Sequence, residues 1–301
     1  MAAGFKRVAI LGTGLIGGSF GLALRKLRPH PRVTGWDKPE VLREARKRGA
    51  IEKAESSLAR AVAESDLVYV ALPVGVTLEL LPQIARAASA RALVTDAAGS
   101  KRAICARAAE CFPTARTGQK SAIFLGGHPM AGKETSGIGA AEAGLFRGAR
   151  YALIRKSPPA VGGASTERMD ARLEGFVDLI RRIGAEPLWL DAESHDRAAA
   201  FVSHLPQLLA VALAGVARDA TDQSGLPLTL AGRGLRDALR LAGSPYSVWR
   251  DIVLTNTDNI DRALDRMGQS IENLRGILRE RELEDEFSSA AELYKILHNL
   301  H

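Results

Sequence analysis

The sequence is poor in cysteine, in aromatic residues and in long apolar runs. Only 2 of its 301 residues are cysteines and 5% are aromatic. Cys105 and Cys111 lie six positions apart, a spacing that matches neither a zinc knuckle nor a C-x-x-C redox pair, so we expect buried thiols and no metal site. Because no apolar run approaches the roughly 20 residues that span a bilayer, we also expect no membrane segment.

The first residues show no secretory signal pattern, and the chain enters a strand-like run, K-R-V-A-I-L, at Lys6. We therefore expect a cytoplasmic protein. The formal net charge is +7, but the arginines are scattered among Glu and Asp instead of forming basic runs. A small anionic ligand accounts for this charge as well as a nucleic acid does.

The order of elements predicts two domains, because 301 residues exceed what one compact core usually takes. Short, continuously apolar runs first alternate with helical patterns, which indicates an α/β fold with a mainly parallel, Rossmann-type sheet covered by helices on both faces. Helical patterns dominate afterwards, including a charged amphipathic run over residues 271–283. We expect a dinucleotide-binding domain over residues 1–190 and an all-helical domain over residues 191–301. The main strand-like runs cover residues 6–11, 32–37, 66–73, 92–96 and 122–125, and a Pro/Gly/Ser-rich stretch covers residues 157–165.

A glycine-rich turn follows the first strand-like run and opens a helical stretch. Gly12, Gly14 and Gly17 match G-x-G-x-x-G, and Asp37 ends the second strand about 20 residues further on. The glycines permit a tight turn and the close approach of a pyrophosphate to a helix N-terminus. Asp37 suits the ribose hydroxyls and repels a 2′-phosphate, so we expect NAD to be favoured over NADP.

A histidine lies in the stretch F-L-G-G-H-P-M-A-G-K-E-T-S-G, just after a short apolar run. A bound nicotinamide implies hydride transfer, which needs a proton acceptor at the carboxyl ends of the strands. His128 stands at that edge, on what we expect to be a loop, and an imidazole is available as a base near neutral pH. The alternative is a histidine that caps the next helix or is merely exposed.

The segments G-H-P-M-A-G-K-E-T-S-G, H-D-R-A-A-A-F-V-S-H-L-P and L-R-D-A-L-R-L-A-G-S-P-Y-S-V-W-R-D-I resemble the prephenate and arogenate dehydrogenase family of tyrosine biosynthesis. The resemblance implies a Rossmann domain followed by a helical domain that forms a homodimer. It also implies that His128 accepts a hydrogen bond from the ring C4 hydroxyl while hydride leaves for NAD and carbon dioxide is lost. Ser100 matches a family serine that assists at the same hydroxyl, although a helix N-cap is nearly as good an interpretation.

The resemblance implies further contacts with the two ligands. Arg240 matches the arginine that binds a substrate carboxylate, and a guanidinium suits bidentate pairing. Gln207 stands where many members have a histidine, which leaves open the choice between prephenate and arogenate, and Lys133 replaces a common threonine. His204 is either a buried structural histidine or a wall of the pocket, and His195 suits a structural role at a helix start. Beside the glycine turn and at the end of the third strand, the residues expected to contact NAD are Leu15, Ile16, Leu72 and Pro73.

Three alternatives remain at this point. An arogenate or dual-specificity cyclohexadienyl dehydrogenase would share all of these features. A β-hydroxyacid dehydrogenase would typically carry a lysine base on the helix that starts the second domain, where this chain has His204. A non-catalytic NAD-binding or nucleic-acid-binding protein would carry clustered phosphate-contacting residues, and the sequence shows no such cluster. We therefore expect a small-molecule substrate and no nucleic-acid or membrane partner.

Ser100 follows Asp96 at one position more than is usual in the family, which weakens its assignment.

Overall fold

The computed structural model describes residues 4–112, 121–155 and 170–299, apart from the side chains of residues 223 and 224. An eight-stranded sheet forms the first part, in the order β3-β2-β1-β4-β5-β6-β7-β8. All neighbouring strands are parallel except β6 and β7, which are antiparallel. The strands are β1 (Arg7–Leu11), β2 (Arg32–Trp36), β3 (Lys53–Ala54), β4 (Leu67–Val70), β5 (Leu93–Asp96), β6 (Ile123–Pro129), β7 (Arg150–Ile154) and β8 (Glu186–Leu190).

Six α-helices accompany the sheet, and among the described residues the chain after β8 forms helices joined by short connections, without a strand. The helices of the first part are α1 (Leu15–Lys26), α2 (Pro39–Lys47), α3 (Leu58–Ala63), α4 (Val74–Ala87), α5 (Arg102–Cys111) and α6 (Ala171–Arg182). Those of the second part are α7 (Ala192–Ala199), α8 (Leu205–Ser224), α9 (Leu226–Thr229), α10 (Arg233–Ala238), α11 (Tyr246–Thr255), α12 (Thr257–Gly276) and α13 (Glu282–Asn299). A π-helical turn, Ala200–His204, joins α7 to α8 without a break.

The central strands are buried on both faces, as their continuous apolar character predicts. One core packs α1, α2 and α6 against the sheet and includes Phe20, Tyr69 and Phe176. A second core packs α3 and α4 against the opposite face and includes Leu11 and Val70. The prediction of a mainly parallel sheet covered on both faces is therefore confirmed.

Two local predictions are wrong. His128 lies within β6 and not on a loop, because the antiparallel partner β7 continues the pairing to the register His128–Ala152 and beyond. The helical run predicted over residues 271–283 is divided, since α12 ends at Gly276 and α13 begins at Glu282. The two-residue strand β3 carries no strand signal in the sequence. The Pro/Gly/Ser-rich stretch of residues 157–165 lies outside the described residues.

The helical part buries few of its apolar side chains within the chain. Its own core cluster is small and centres on Ala200, Leu205, Ile260 and Ala263. Large apolar side chains on several helices are exposed instead, which marks an extensive surface for contact with another molecule. The most exposed include Val216 (67%), Leu230 (79%), Tyr246 (74%), Leu254 (70%) and Phe287 (72%).

One helical stretch, Ala192–Asp222, is long and apolar enough to cross a membrane by length and composition alone. The expectation that no run approaches this length therefore fails for the continuous α7–α8 rod. A third of its most apolar window is buried inside the chain. A single such helix is weak evidence for a membrane span, because helices that pack in protein interiors pass the same test.

Candidate active site

The glycine turn between β1 and α1 has the geometry of a phosphate cradle. Gly12 has φ +88°, and a β-carbon there would lie 2.3 Å from the Ala71 carbonyl oxygen. A β-carbon at Gly17 would lie 1.9 Å from the Gly12 carbonyl oxygen. The fold itself therefore requires both glycines.

Gly14 is different, because a β-carbon there would meet nothing within 4 Å. Its backbone, at φ −71° and ψ −145°, lies outside the β region that other residues favour, and the open space beside it admits the close approach of a ligand. Gly14 is also the N-cap of α1, where no side chain caps the helix. The first N–H groups of α1 are thus open to a phosphate, and the turn fits a dinucleotide.

The Asp37 carboxylate lies beside this turn, at the end of β2. Its Oδ2 atom accepts hydrogen bonds from the Thr13 backbone N–H at 2.6 Å and from Thr13 Oγ1 at 3.2 Å. The Oδ1 atom accepts one from the Lys38 N–H at 2.7 Å. These contacts hold a negative charge at the position that the dinucleotide fingerprint assigns to the ribose.

A cleft of about 690 Å³ opens at the carboxyl ends of the strands, between the sheet and the helical part. We use "the cleft" for this cavity. The predicted cofactor contacts Leu15, Ile16, Leu72 and Pro73 all line it. So does His128, which the sheet therefore brings to the same cavity as the start of α1. From the helical part, the lining residues include Val202, Ser203, His204, Val248, Trp249 and Ile252.

His128 is tied to two residues of helix α7. Its Nδ1 atom lies 2.9 Å from His195 Nε2, and His195 Nδ1 lies 2.8 Å from Asp196 Oδ1. His195 and Asp196 are both buried. His128 lines the cleft, and its Nε2 atom lies on the side of Gly99, another lining residue, 4.0 Å from where a β-carbon of that residue would stand. The sequence indicates only a structural role for His195, because no pattern in it connects positions 128 and 195.

A buried ion pair fixes the backbone beneath His128. The Lys101 ammonium group contacts the Asp96 carboxylate and donates a hydrogen bond to the Gly127 carbonyl oxygen at 2.7 Å. Asp96 Oδ1 accepts a hydrogen bond from the Gly127 N–H at 3.1 Å. Both side chains are fully buried. This pair therefore joins the ends of β5 and β6 just before the histidine.

The surroundings of His128 keep its imidazole neutral. Burial lowers the pKa of His128 well below 6.5, and the neighbouring His195, Lys101 and His204 lower it further. Asp196 behaves in the opposite way, since burial raises its pKa but hydrogen bonds from His195 and from backbone N–H groups outweigh burial and bring the pKa below 3.8. The site therefore holds a neutral base at the cleft and an ionised carboxylate behind it.

His204 is a buried wall of the cleft, with 1% of its surface exposed. The Asn256 amide lies 3.2 Å from its Nδ1 atom, and Trp249 packs edge-on against the ring at 5.9 Å. Burial lowers the pKa of His204 to about 4. Both interpretations of this histidine, buried residue and pocket wall, therefore describe its position.

Of the described residues that line the cleft, Gly99 is one but its neighbour Ser100 is not. Ser100 is fully buried, and its hydroxyl pairs with Thr255. It is not the N-cap of α5 either, since that helix begins at Arg102. Asp196 caps α5 instead and accepts hydrogen bonds from the N–H groups of Lys101 and Arg102 at 2.7 and 2.9 Å.

The cations predicted to bind substrate lie near the mouth of the cleft and pair with carboxylates. Lys133 Nζ lies 2.9 Å from Glu142 Oε2. Arg240 Nη1 lies 3.5 Å from Oε2 of Glu134, a lining residue, although Arg240 itself is 58% exposed and is not part of the lining. Gln207 is buried and donates from Nε2 to the carbonyl oxygen of Leu241, which lines the cleft, at 2.9 Å.

The chain matches two protein-family models. Residues 20–159 match the model described as prephenate dehydrogenase, nucleotide-binding domain. Residues 191–297 match the model described as prephenate dehydrogenase, dimerization domain. The two matches cover both the sheet-containing and the helical part.

Individual proteins with this description are similar over most of the chain. A prephenate dehydrogenase of Lactococcus lactis is 34% identical over 254 residues, which are 84% of this chain and 66% of that protein. A prephenate dehydrogenase of Bacillus subtilis is 31% identical over 282 residues, which are 93% of this chain and 72% of that protein. The crystal structure of prephenate dehydrogenase from Aquifex aeolicus in complex with hydroxyphenyl propionate and NAD⁺ is 27% identical, covers 99% of both chains and has a TM-score of 0.81.

Proposed function

Since the chain belongs to the prephenate dehydrogenase family of oxidoreductases, we propose that it is an NAD-dependent prephenate dehydrogenase. The reaction converts prephenate to 4-hydroxyphenylpyruvate by oxidative decarboxylation. The single observation that carries this proposal is the neutral His128 imidazole, which lines the same cleft as the start of α1. The relatives of L. lactis and B. subtilis support the choice of substrate.

The glycine turn and the cleft each have a role in this proposal. Bound NAD would supply the hydride acceptor, with its pyrophosphate at Gly14 and its adenosine ribose at Asp37. His128 accepts a hydrogen bond from the ring C4 hydroxyl and takes up its proton as hydride leaves C4 and the C–O bond gains carbonyl character. The electron pair of the breaking C–CO₂ bond then enters the ring, carbon dioxide leaves, and the oxygen regains a proton from His128 as the ring becomes aromatic. Ser100 has no part in this proposal, because its hydroxyl is engaged by Thr255.

The coenzyme preference rests on Asp37, whose carboxylate occupies the place that a 2′-phosphate would need. Crystals of the A. aeolicus relative contain NAD⁺, which supports the same choice. We also propose a cytoplasmic location, since both cysteines are free thiols, as is usual in a reducing compartment.

The decisive experiment measures NADH formation with prephenate and with arogenate, for the wild type and for His128→Asn. We expect NADH from prephenate and a loss of kcat of at least about 100-fold in the variant. Asparagine keeps a hydrogen-bonding group but cannot act as a base, so KM changes less than kcat. If only arogenate were turned over, arogenate would be the substrate in place of prephenate. No NADH from either compound would refute the proposal.

The exposed apolar side chains of the helical part support a homodimer, and this part matches the dimerization-domain model. An interface between obligate subunits resembles an opened protein core, and burial of Leu230 and Phe287 against a second copy would give such an interface. Sedimentation at micromolar concentration should show a dimer. Leu230→Glu should shift the population toward monomer. A wild type that sediments as a monomer at this concentration would contradict the proposal.

A further inference from the structure

The hydrogen bonds behind His128 form a chain that passes through His195 to Asp196. Asp196 is ionised, so its Oδ1 atom accepts, and His195 must carry its proton on Nδ1. With His195 in its neutral form, its Nε2 atom is an acceptor, and His128 donates to it from Nδ1 at 2.9 Å. The Nε2 atom of His128 is then left with its lone pair.

Asp196 is the negatively charged end of this chain of hydrogen bonds, and the nearby cations are engaged by other groups. The Lys101 ammonium group pairs with Asp96 and donates to the Gly127 carbonyl oxygen. Arg102 lies 3.5 Å from Asp196 Oδ2 but directs its terminal nitrogens to Asp258. Thus His195 Nδ1 is the side-chain donor on Asp196 Oδ1, beside one backbone N–H.

We propose that His195 and Asp196 are positioning residues of the reaction. They hold His128 in the tautomer that can accept a hydrogen bond from the substrate hydroxyl, and they stabilise the positive charge that His128 gains. The carboxylate orients the first imidazole, which in turn orients the second, as in other acid–base sites where a third group fixes the base. This inference rests on the proposed function, because it assigns these residues to the same hydroxyl group.

Two substitutions of His195 separate positioning from packing. Glutamine can still accept a hydrogen bond from His128 Nδ1, whereas phenylalanine keeps the ring but offers no acceptor. We expect His195→Phe to lower kcat by about 10–100-fold with KM for prephenate nearly unchanged, and His195→Gln to retain more activity. If His195 only filled space, phenylalanine would be the better replacement. Equal or higher kcat for His195→Phe than for His195→Gln would therefore overturn the proposal.

Asp196 needs a matched control, because it also caps α5. Asp191 provides one, since it begins the same helix and its carboxylate accepts the Ser194 N–H at 2.8 Å. We expect Asp196→Asn and Asp191→Asn both to lower the melting temperature, but only Asp196→Asn to lower kcat by about tenfold or more. It should also shift the acid limb of the pH profile. A similar loss of kcat in both variants would reduce the role of Asp196 to helix capping and contradict the proposal.

A measurement without substrate keeps this inference distinct from the proposed function. Nitrogen-15 NMR of histidine-labelled wild type reports which ring nitrogen carries the proton, and His128→Asn identifies the signals of His128. We expect Nδ1–H with a free Nε2 in the wild type, and a loss of this preference in His195→Phe. An Nε2–H tautomer in the wild type would overturn the inference. Absence of NADH formation would instead refute the proposed function.

Discussion

The Oγ atom of Ser100 lies 2.6 Å from the Oγ1 atom of Thr255. Thr255 also contacts the Asp251 carbonyl oxygen at 2.7 Å, which can only accept, so the single hydroxyl proton of Thr255 points there. Ser100 is therefore the donor in its contact with Thr255. Its hydroxyl joins the segment between β5 and α5 to α11 and has no remaining hydrogen for a substrate.

We predict that Ser100→Ala lowers stability more than activity. Loss of this hydrogen bond should cost about 1 kcal/mol of unfolding free energy, while kcat stays within about threefold. Thr255→Ala should have a similar effect, and the double variant should lose less than the sum of the two because they remove the same contact. Urea unfolding and steady-state kinetics test this. A 100-fold loss of kcat in Ser100→Ala would instead support the catalytic role that the sequence suggests.

The pH dependence of kcat/KM should report the neutral His128. Protonation removes the acceptor that the substrate hydroxyl needs, so activity falls at acid pH. Because the pKa of His128 in the free protein lies well below 6.5, we expect the profile to stay level down to about pH 6.5 and to fall only below it. An acid limb with its midpoint above 6.5 would contradict this assignment.

Substitution of Asp37 should change the coenzyme preference. Asn keeps an acceptor for the Thr13 N–H but removes the charge, so repulsion of a 2′-phosphate disappears. We expect Asp37→Asn to raise KM for NAD by about tenfold, as the loss of a charge-assisted hydrogen bond would, and to improve kcat/KM with NADP. Glu40→Gln, at the start of α2, is a matched control that should leave the NAD to NADP ratio unchanged.

The buried His204 should make stability depend on pH. Its pKa is about 4 in the folded chain and about 6.5 when unfolded. The unfolded state therefore binds the additional proton between these values, and stability is full above pH 6.5 and decreases as the pH falls toward 4. From pH 7.5 to pH 5 this group should cost about 2 kcal/mol. The decrease should be smaller in His204→Gln but not in His298→Gln, which changes an exposed histidine.

Arg240 should act on substrate binding more than on chemistry. A substrate carboxylate can replace Glu134 as its partner at the mouth of the cleft. We expect Arg240→Gln to raise KM for prephenate by about tenfold, with kcat nearly unchanged, because the contact would be similar in the ground and transition states. Arg236→Gln, on the exposed surface of α10, is the control. A fall in kcat without a change in KM would argue against this role.

The features that the sequence predicts well depend on neighbours along the chain. Gly12, Gly17 and Asp37 form a local motif in which strand, turn and helix follow directly, so their geometry could be inferred from spacing. The continuously apolar strands likewise predict a sheet that is covered on both faces. The structure bears out both patterns.

The features that the sequence does not predict depend on distant pairings. His128 and His195 are 67 positions apart, and no periodicity connects them. Ser100 meets Thr255 across 155 positions, so its partner could not be inferred from T-D-A-A-G-S-K-R. The extension of β6 through His128 comes from pairing with β7, and a single strand pattern contains no information about its partner.

The π-helical turn of Ala200–His204 adds a residue to an otherwise regular rod. Deleting one residue there would restore about 3.6 residues per turn and rotate α7 by about 100° relative to α8. His195 would then turn away from His128, while α8 would keep its length. The rotation of α7 relative to α8 thus determines whether His195, in the helical part, can reach His128 in the sheet.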